Sequence, residues 1–268
     1  MQLPSPTWLV GCGNMAGAMV EGWRIAGIDL STAIAIRPSG RPVEGVRTVT
    51  AIGQAGPSPA LVLLGFKPQQ LDSVAPELAP HLTERTTVVS ILAGVEAASL
   101  KQRFPGAKIV RAIPNLPVAI RRGFVGLYSD DIQADSQSAL AQLFSALGMA
   151  LWTDSEKTLG GMGAVGGAGP AYVARFIDAI AKAGVAQGLP EQTAFAIALE
   201  TVFGTAWLAS STRETMDQLA RRVASPKGTT EAGLAVLDGG QALDRLVEET
   251  IEAAAARGRS LAQDARLP

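Results

Sequence analysis

The stretch Trp8-Leu9-Val10-Gly11-Cys12-Gly13-Asn14-Met15-Ala16-Gly17-Ala18-Met19 constrains the fold more than any other in this chain. A short apolar run ends in two spaced glycines, and a small-residue helical pattern begins at once. A strand that turns through Gly-x-Gly-x-x-(Gly/Ala) into a helix is the arrangement that receives a dinucleotide. Gly11 allows the tight turn, Gly13 lets backbone reach a pyrophosphate, and Ala16 keeps the third position small for close helix–strand packing. The start of the helix then offers N–H groups and a positive dipole end to phosphates. A plain βα turn is the competing reading; the strand-then-helix order favours the nucleotide.

The pattern that follows extends this unit. Apolar runs predict strands at 33–36, 46–50, 60–66, 87–92, 108–113, 124–128 and 150–153, with helices at 16–26, 70–82, 96–103 and 136–147 between them. The run at 60–66 is continuously apolar, as a parallel strand covered on both faces requires. Strands alternating with helices predict a doubly wound α/β domain over residues 1–154.

The end of the second strand reads Arg37-Pro38-Ser39, where an NAD-binding chain usually carries an acid for the ribose 2′-hydroxyl. A guanidinium and a hydroxyl suit a 2′-phosphate instead, so NADP(H) is expected over NAD(H). Lys67-Pro68 closes the 60–66 strand at its carboxyl end, where ligands of open α/β sheets lie. Arg37 and Lys67 as plain solvated loop charges are the bland alternatives.

Residues 155–268 change character, and helices replace strands. Residues 160–170 are dense in glycine and alanine before Pro170 opens a helix at 171–187, whose polar stripe is Arg175, Asp178, Lys182 and Gln187. A second helix, about 191–209, has Glu200 as its only charge between Glu191 and Arg213. A helix apolar nearly all round belongs inside a bundle, so a helical interface shared between subunits is expected. Glu200 then requires a partner, because an isolated buried carboxylate is costly. The last helix repeats Leu243, Leu246, Val247, Thr250, Ile251 and Ala254, and residues 257–268 read as a polar tail. Ser225-Pro226-Lys227-Gly228-Thr229-Thr230 combines a turn with a helix cap, and its hydroxyls and amides suit a carboxylate equally well.

Bulk properties set the remaining bounds. The 268 residues carry a net charge of −1, which implies no general attraction to nucleic acid or anionic membrane. No uninterrupted apolar run reaches the roughly 20 residues needed to span a bilayer, and no signal peptide is evident. The single cysteine, Cys12, cannot form an intrachain disulfide and fits a reducing compartment, so a soluble cytoplasmic protein is expected. The sole histidine, His81, reads as a solvated residue at a helix end, and metal chemistry built on His/Cys clusters is not expected. A mean hydropathy of +0.22 favours an oligomer.

Taken in order, Gly11-x-Gly13-Asn14-Met15, Lys67-Pro68-Gln69, Ser90-Ile91-x-Ala93-Gly94, Arg111-Ala112-Ile113-Pro114-Asn115-x-Pro117, Gly167-x-Gly169-Pro170-Ala171-Tyr172 and Ser225-Pro226-x-Gly228-Thr229-Thr230 resemble the pyrroline-5-carboxylate reductase family over nearly the whole chain. The resemblance implies an N-terminal Rossmann domain and a C-terminal helical dimerisation and substrate domain (155–268). It also implies intertwined homodimers that sometimes form decamers, and hydride transfer from NAD(P)H to the C=N carbon of 1-pyrroline-5-carboxylate, giving L-proline. It assigns Gly11, Gly13, Asn14, Met15 and Lys67 to the cofactor, Arg37 and Ser39 to its 2′-phosphate, and Ala93, Pro114 and Asn115 to the nicotinamide. Ser225, Gly228, Thr229 and Thr230 would bind the substrate carboxylate, and no residue is identified as a catalytic acid or base.

Some positions depart from the family pattern. Gly163 replaces a common threonine, Gly166 and Ala168 replace serines, Leu116 replaces a threonine, Lys227 replaces a glycine and Glu200 replaces a glutamine. The lost hydroxyls keep two alternatives open: a reductase of a related cyclic imine, and an NADP-binding protein without catalysis.

Overall fold

A computed structural model describes residues 2–212 and 214–265. Its eight strands are β1 (Thr7–Val10), β2 (Ala33–Ile36), β3 (Arg47–Val49), β4 (Leu61–Leu64), β5 (Thr87–Ser90), β6 (Lys108–Pro114), β7 (Gly123–Tyr128) and β8 (Gly148–Thr153). They form one sheet in the order β3-β2-β1-β4-β5-β6-β7-β8. The first six are parallel and take the Rossmann order, with the topological switch between β1 and β4.

Every residue of β1, β2 and β4 is buried, which is why these strands are apolar without alternation. Successive side chains still divide between the faces. Leu9 joins Met19, Trp23 and Phe144 in one cluster, whereas Trp8 and Val10 join Leu78, Leu100 and Phe104 in the other. The strand β7 runs antiparallel to β6. Only residues 115–122 connect them, too few for the crossover that a parallel partner requires. The longer connection through α4 (Ala134–Ser145) then lets β8 lie parallel to β7.

The helices preceding α4 are α1 (Asn14–Ile25), α2 (Leu71–Leu78) and α3 (Ala97–Arg103). After β8 come α5 (Glu156–Met162), a π-helical turn (Gly163–Gly167), α6 (Gly169–Ala186), α7 (Glu191–Ser211), α8 (Met216–Val223), α9 (Thr229–Asp238) and α10 (Ala242–Asp264). Among the described residues no strand follows β8. The chain forms two compact units, one of Met1–Ala168 with Ala254–Pro268, the other of Gly169–Ala253.

In the second unit α6 and α7 form a hairpin. A side chain at Gly184 would put its Cβ 3.2 Å from Ala194 Cβ. Ala181, Ala194 and Ala198 are the buried residues of the pair. The stripe read on α6 is an ion ladder: Asp178 accepts from Arg175 and from Lys182, the latter at 2.9 Å.

Four expectations differ from what the single chain shows. Residues 257–264 are not a polar tail but the continuation of α10; residues 266–268 of that segment lie outside the described residues. His81 ends the turn after α2 as expected, but it is half-buried, its ring 5.5 Å from that of Trp8. By length and composition α7 is apolar enough to cross a membrane, with a mean hydropathy of 1.3 over its best window. Counting uninterrupted apolar runs hides this, because Thr201, Gly204 and Thr205 break the run without lowering the mean much. Glu200, expected to be buried with a partner, is exposed within the single chain. Phe195, Phe203 and Trp207 on the same helix are each more than half exposed.

Candidate functional site

At the carboxyl end of β1 the backbone is steered by its two neighbours. Gly11 N–H donates to Ile36 O at 2.9 Å, and Gly65 N–H donates to Val10 O at 2.9 Å. Gly11 has φ +74°, and a Cβ there would lie 2.8 Å from Phe66 Cβ. Gly65 is equally constrained: a Cβ would fall 2.6 Å from Gly11 O and 2.8 Å from Ala16 Cβ. The two glycines and Ala16 therefore bring β1, β4 and the start of α1 together. Gly65 was missed in the sequence reading, although its place at the end of an apolar run was the available signal. Gly13 differs, since beyond its own chain neighbours the nearest atom to an added Cβ is Gly65 O at 3.9 Å. The space it leaves is open to a ligand rather than filled by the fold.

Gly13 is also the N-cap of α1. No side chain caps this helix and no acid stands in its first turn, so its leading N–H groups remain available to an anion. Cys12, between the glycines, is buried. Burial pushes its thiol pKa up, and the nearby Arg37 charge opposes part of that shift. Such a thiol is a small packing residue rather than a nucleophile at neutral pH.

A cleft of about 680 Å³ opens from this turn. Gly11, Gly13, Asn14, Met15, Arg37, Ser39 and Lys67 all line it, so seven expected cofactor residues meet in one place. Thr50, Gln70 and Glu77 also line it and were not anticipated. Two cations face one carboxylate there, a balance that favours an anion. Arg37 is oriented by its Nη1, which donates to Arg41 O at 3.1 Å. Ser39 Oγ accepts from Arg41 N–H at 3.4 Å. Lys67 is exposed at the rim, its backbone N–H donating to Gln70 Oε1 at 3.2 Å. The uncapped helix start, the free space at Gly13 and the Arg37–Ser39 corner fit a phosphorylated dinucleotide.

Ala93, Pro114 and Asn115 do not line that cleft. They follow β5 or end β6, at the carboxyl edge of the same sheet. Ala93 is exposed, and Gly94 beside it has φ +76°. Asn115 is buried with both ends of its amide engaged: Nδ2 donates to Gly166 O at 2.9 Å, and Oδ1 accepts from Phe124 N–H at 2.8 Å. It clamps β6, β7 and the π-helical turn. That turn has little spare room, because a Cβ on Gly166 would lie 2.7 Å from the Phe124 ring and one on Gly163 3.0 Å from Ile113 Cδ1. A second tie is the pair Arg111–Glu156 at 2.6 Å, whose carboxylate also accepts from Ala97 N–H at 2.9 Å. The sequence reading assigned neither of these charges a role.

In the second unit Ser225, Gly228, Thr229 and Thr230 share one turn at the start of α9. Gly228 is the N-cap, without a side-chain cap, and its N–H donates to Ser225 O at 2.9 Å. Lys227 sits at φ +61°, a backbone region that glycine adopts more easily. Its N–H donates to Glu231 Oε2 at 2.6 Å, which holds the turn closed.

Residues 156–261 match the family model described as pyrroline-5-carboxylate reductase dimerisation. Residues 8–94 match that of NADP oxidoreductase, coenzyme F420-dependent. A pyrroline-5-carboxylate reductase of Pseudomonas aeruginosa is 35% identical over 262 residues, covering 95% of this chain and 96% of that one. Another from Synechocystis is 41% identical over 179 residues, 66% of each chain. The structure of a pyrroline-5-carboxylate reductase from Coxiella burnetii is similar with a TM-score of 0.86 at 30% identity, covering 97% of this chain and 99% of that one. On end-to-end similarity and on the geometry of its glycine turn, the chain belongs to the pyrroline-5-carboxylate reductase family.

Proposed function

We propose that this chain reduces 1-pyrroline-5-carboxylate to L-proline, with NADPH as its preferred hydride source. The observation that carries the reading is the single cleft that joins the uncapped start of α1 to Arg37 and Ser39. Membership of the family supplies the imine.

Reduced NADP, when bound, supplies a hydride. The chain's own groups orient and neutralise. Gly11, Gly13, Asn14 and Met15 offer backbone to the pyrophosphate, Arg37 and Ser39 hold the 2′-phosphate, and Lys67 adds positive charge at the rim. Ala93, Pro114 and Asn115 flank the nicotinamide. Ser225, Gly228, Thr229 and Thr230 anchor the substrate carboxylate through hydroxyls and the free N–H groups of α9. A cyclic imine protonated on nitrogen accepts hydride at carbon and leaves as a secondary amine. The site therefore needs orientation more than an acid or base of its own.

The functional division falls at 1–154 for the cofactor and 155–268 for dimerisation and substrate. The dimerisation-family match beginning at residue 156 supports it. The apolar residues left open on α7 are covered by a second copy in a homodimer, with decamers as a further assembly, rather than by lipid. The protein acts in the cytoplasm on this small molecule and binds neither nucleic acid nor membrane.

Initial rates with 1-pyrroline-5-carboxylate, comparing NADPH with NADH, test the reading. Turnover that favours NADPH is expected. No turnover at saturating ligands overturns it. Reduction of piperideine carboxylates instead selects the related-imine alternative, and tight NADPH binding without turnover on any imine selects the binding protein.

A further inference from the structure

The loop after β5 is held in place by the far end of the chain. A Cβ on Gly94 would lie 2.5 Å from Leu261 Cβ and 2.9 Å from the Leu261 carbonyl carbon. The last turns of α10 thus pack on bare loop backbone. Three residues further along the strand-to-helix connection, Ala97 N–H is fixed by Glu156. Ser99 Oγ, in the first turn of α3, donates to Ala265 O at 3.0 Å, and Ala265 packs on the core cluster that contains Ala97 and Leu100. These contacts all lie within the first unit.

A doubly wound sheet divides a dinucleotide between its halves, and the switch point here falls between β1 and β4. Arg37, at the end of β2, marks the half that takes the adenosine. The loop at Ala93 and Gly94 belongs to the other half, which takes the nicotinamide. We propose that the C-terminal end of α10, through Leu261 and Ala265, is a positioning strut that sets the β5–α3 loop at the nicotinamide half of the cofactor site. Gly94 is glycine because the helix backbone occupies the place of a side chain. Leu261 does not touch cofactor; it acts through the loop. This rests on the proposed use of NADPH, not on the identity of the imine.

The test compares two ligands with the full-length protein and its variants. NADPH reaches both halves of the site, whereas adenosine 2′,5′-bisphosphate reaches the adenosine half alone. In Leu261→Gly, which removes the Cβ that meets Gly94, NADPH affinity is expected to fall roughly fivefold. Affinity for the bisphosphate should stay within about twofold of the parent. Where turnover is measured, kcat should fall by about ten- to a hundredfold as the nicotinamide loses its placement. Leu261→Ala, which keeps that Cβ, should hold both values near those of the parent. Ser99→Ala, which removes the bond to Ala265 together with the one that Ser99 Oγ accepts from Arg103 Nη1, should shift them in the same direction as Leu261→Gly by a smaller factor. Equal weakening of both ligands, or unchanged NADPH affinity in both Leu261→Gly and Ser99→Ala, overturns the strut. Failure of the parent to reduce 1-pyrroline-5-carboxylate would instead reject the substrate and leave the binding comparison readable.

Discussion

Arg111 Nη1 lies 2.6 Å from Glu156 Oε1, and the same oxygen accepts from the Ala97 backbone at 2.9 Å. One carboxylate thus neutralises a charge on β6 while capping α3 and opening α5. Arg111 is nearly buried, with its side chain 11% exposed. Removing Glu156 would strand that guanidinium and leave a helix N–H without its acceptor. Glu156→Ala is therefore expected to lower unfolding free energy by about 2–3 kcal/mol, read from the urea midpoint at constant slope. A loss below about 0.5 kcal/mol, the size of an exposed pair, would show that water replaces the contact.

The cofactor corner gives a prediction about specificity. The Arg37 backbone is tied to Val49 O at 2.8 Å and its guanidinium to Arg41 O at 3.1 Å, so the charge is held at the cleft. On the proposed placement of the cofactor, Arg37→Asp exchanges an attraction for the 2′-phosphate for a repulsion and offers the NADH ribose an acceptor. The ratio of kcat/KM for NADPH over NADH should fall about a hundredfold or more. An unchanged ratio in steady-state kinetics would remove Arg37 from the 2′-phosphate site.

Much of the first unit was readable because strands covered on both faces leave an unbroken apolar signal, as at Leu61–Leu64. Positions fixed by tertiary approach were not. Gly65 must be glycine because Gly11 O and the Ala16 methyl are beside it; the end of an apolar run marks its position but not the approach that forbids a side chain. Helix α8 was missed although Thr215 and Gln218 cap each other's backbone N–H at 3.2 and 2.9 Å. That box is a local signal, and behind it Met216, Leu219, Ala220 and Val223 keep helical spacing among the charges Asp217, Arg221 and Arg222, but eight residues are too few for the pattern to stand out. The end of α10 was read as a tail because its charges hide the narrow line of Leu261, Ala262 and Ala265 that packs on the β5–α3 loop and on α3 within the first unit. The seven residues that meet in the cleft were expected together because a phosphate site is built from local backbone, whereas the Asn115 clamp and the Arg111–Glu156 pair exist only once strands are assembled.

Burial of Cys12 has a consequence for pH. Its thiol pKa is raised in the folded protein, first by burial, with Arg37 acting against it. The folded state keeps its proton through a pH range in which the unfolded thiol has lost its own. Stability from this group is complete below the unfolded thiol value of about 8.5 and declines as pH rises through the higher folded value. Unfolding free energy measured across the alkaline range should fall with pH, and Cys12→Ala should flatten that slope. Equal slopes in the two proteins would mean that other groups govern alkaline unfolding.

The Gly166–Phe124 contact gives the last prediction. Asn115 holds Gly166 O at 2.9 Å, so the π-helical turn cannot swing aside to admit a side chain. A Cβ there would lie 2.7 Å from Phe124 Cδ1 and 3.0 Å from Cε1. Overpacking of this kind costs about 1–3 kcal/mol. Replacing glycine within a helical turn returns up to about 1 kcal/mol, so Gly166→Ala should be net destabilising by about 1–2 kcal/mol. Phe124→Leu alone should also destabilise, through lost contact. Together they should cost less than the sum, with a favourable coupling of about 1 kcal/mol or more in the double-mutant cycle. Strict additivity in denaturant unfolding would mean that the ring turns away freely and that the turn is not set by Phe124.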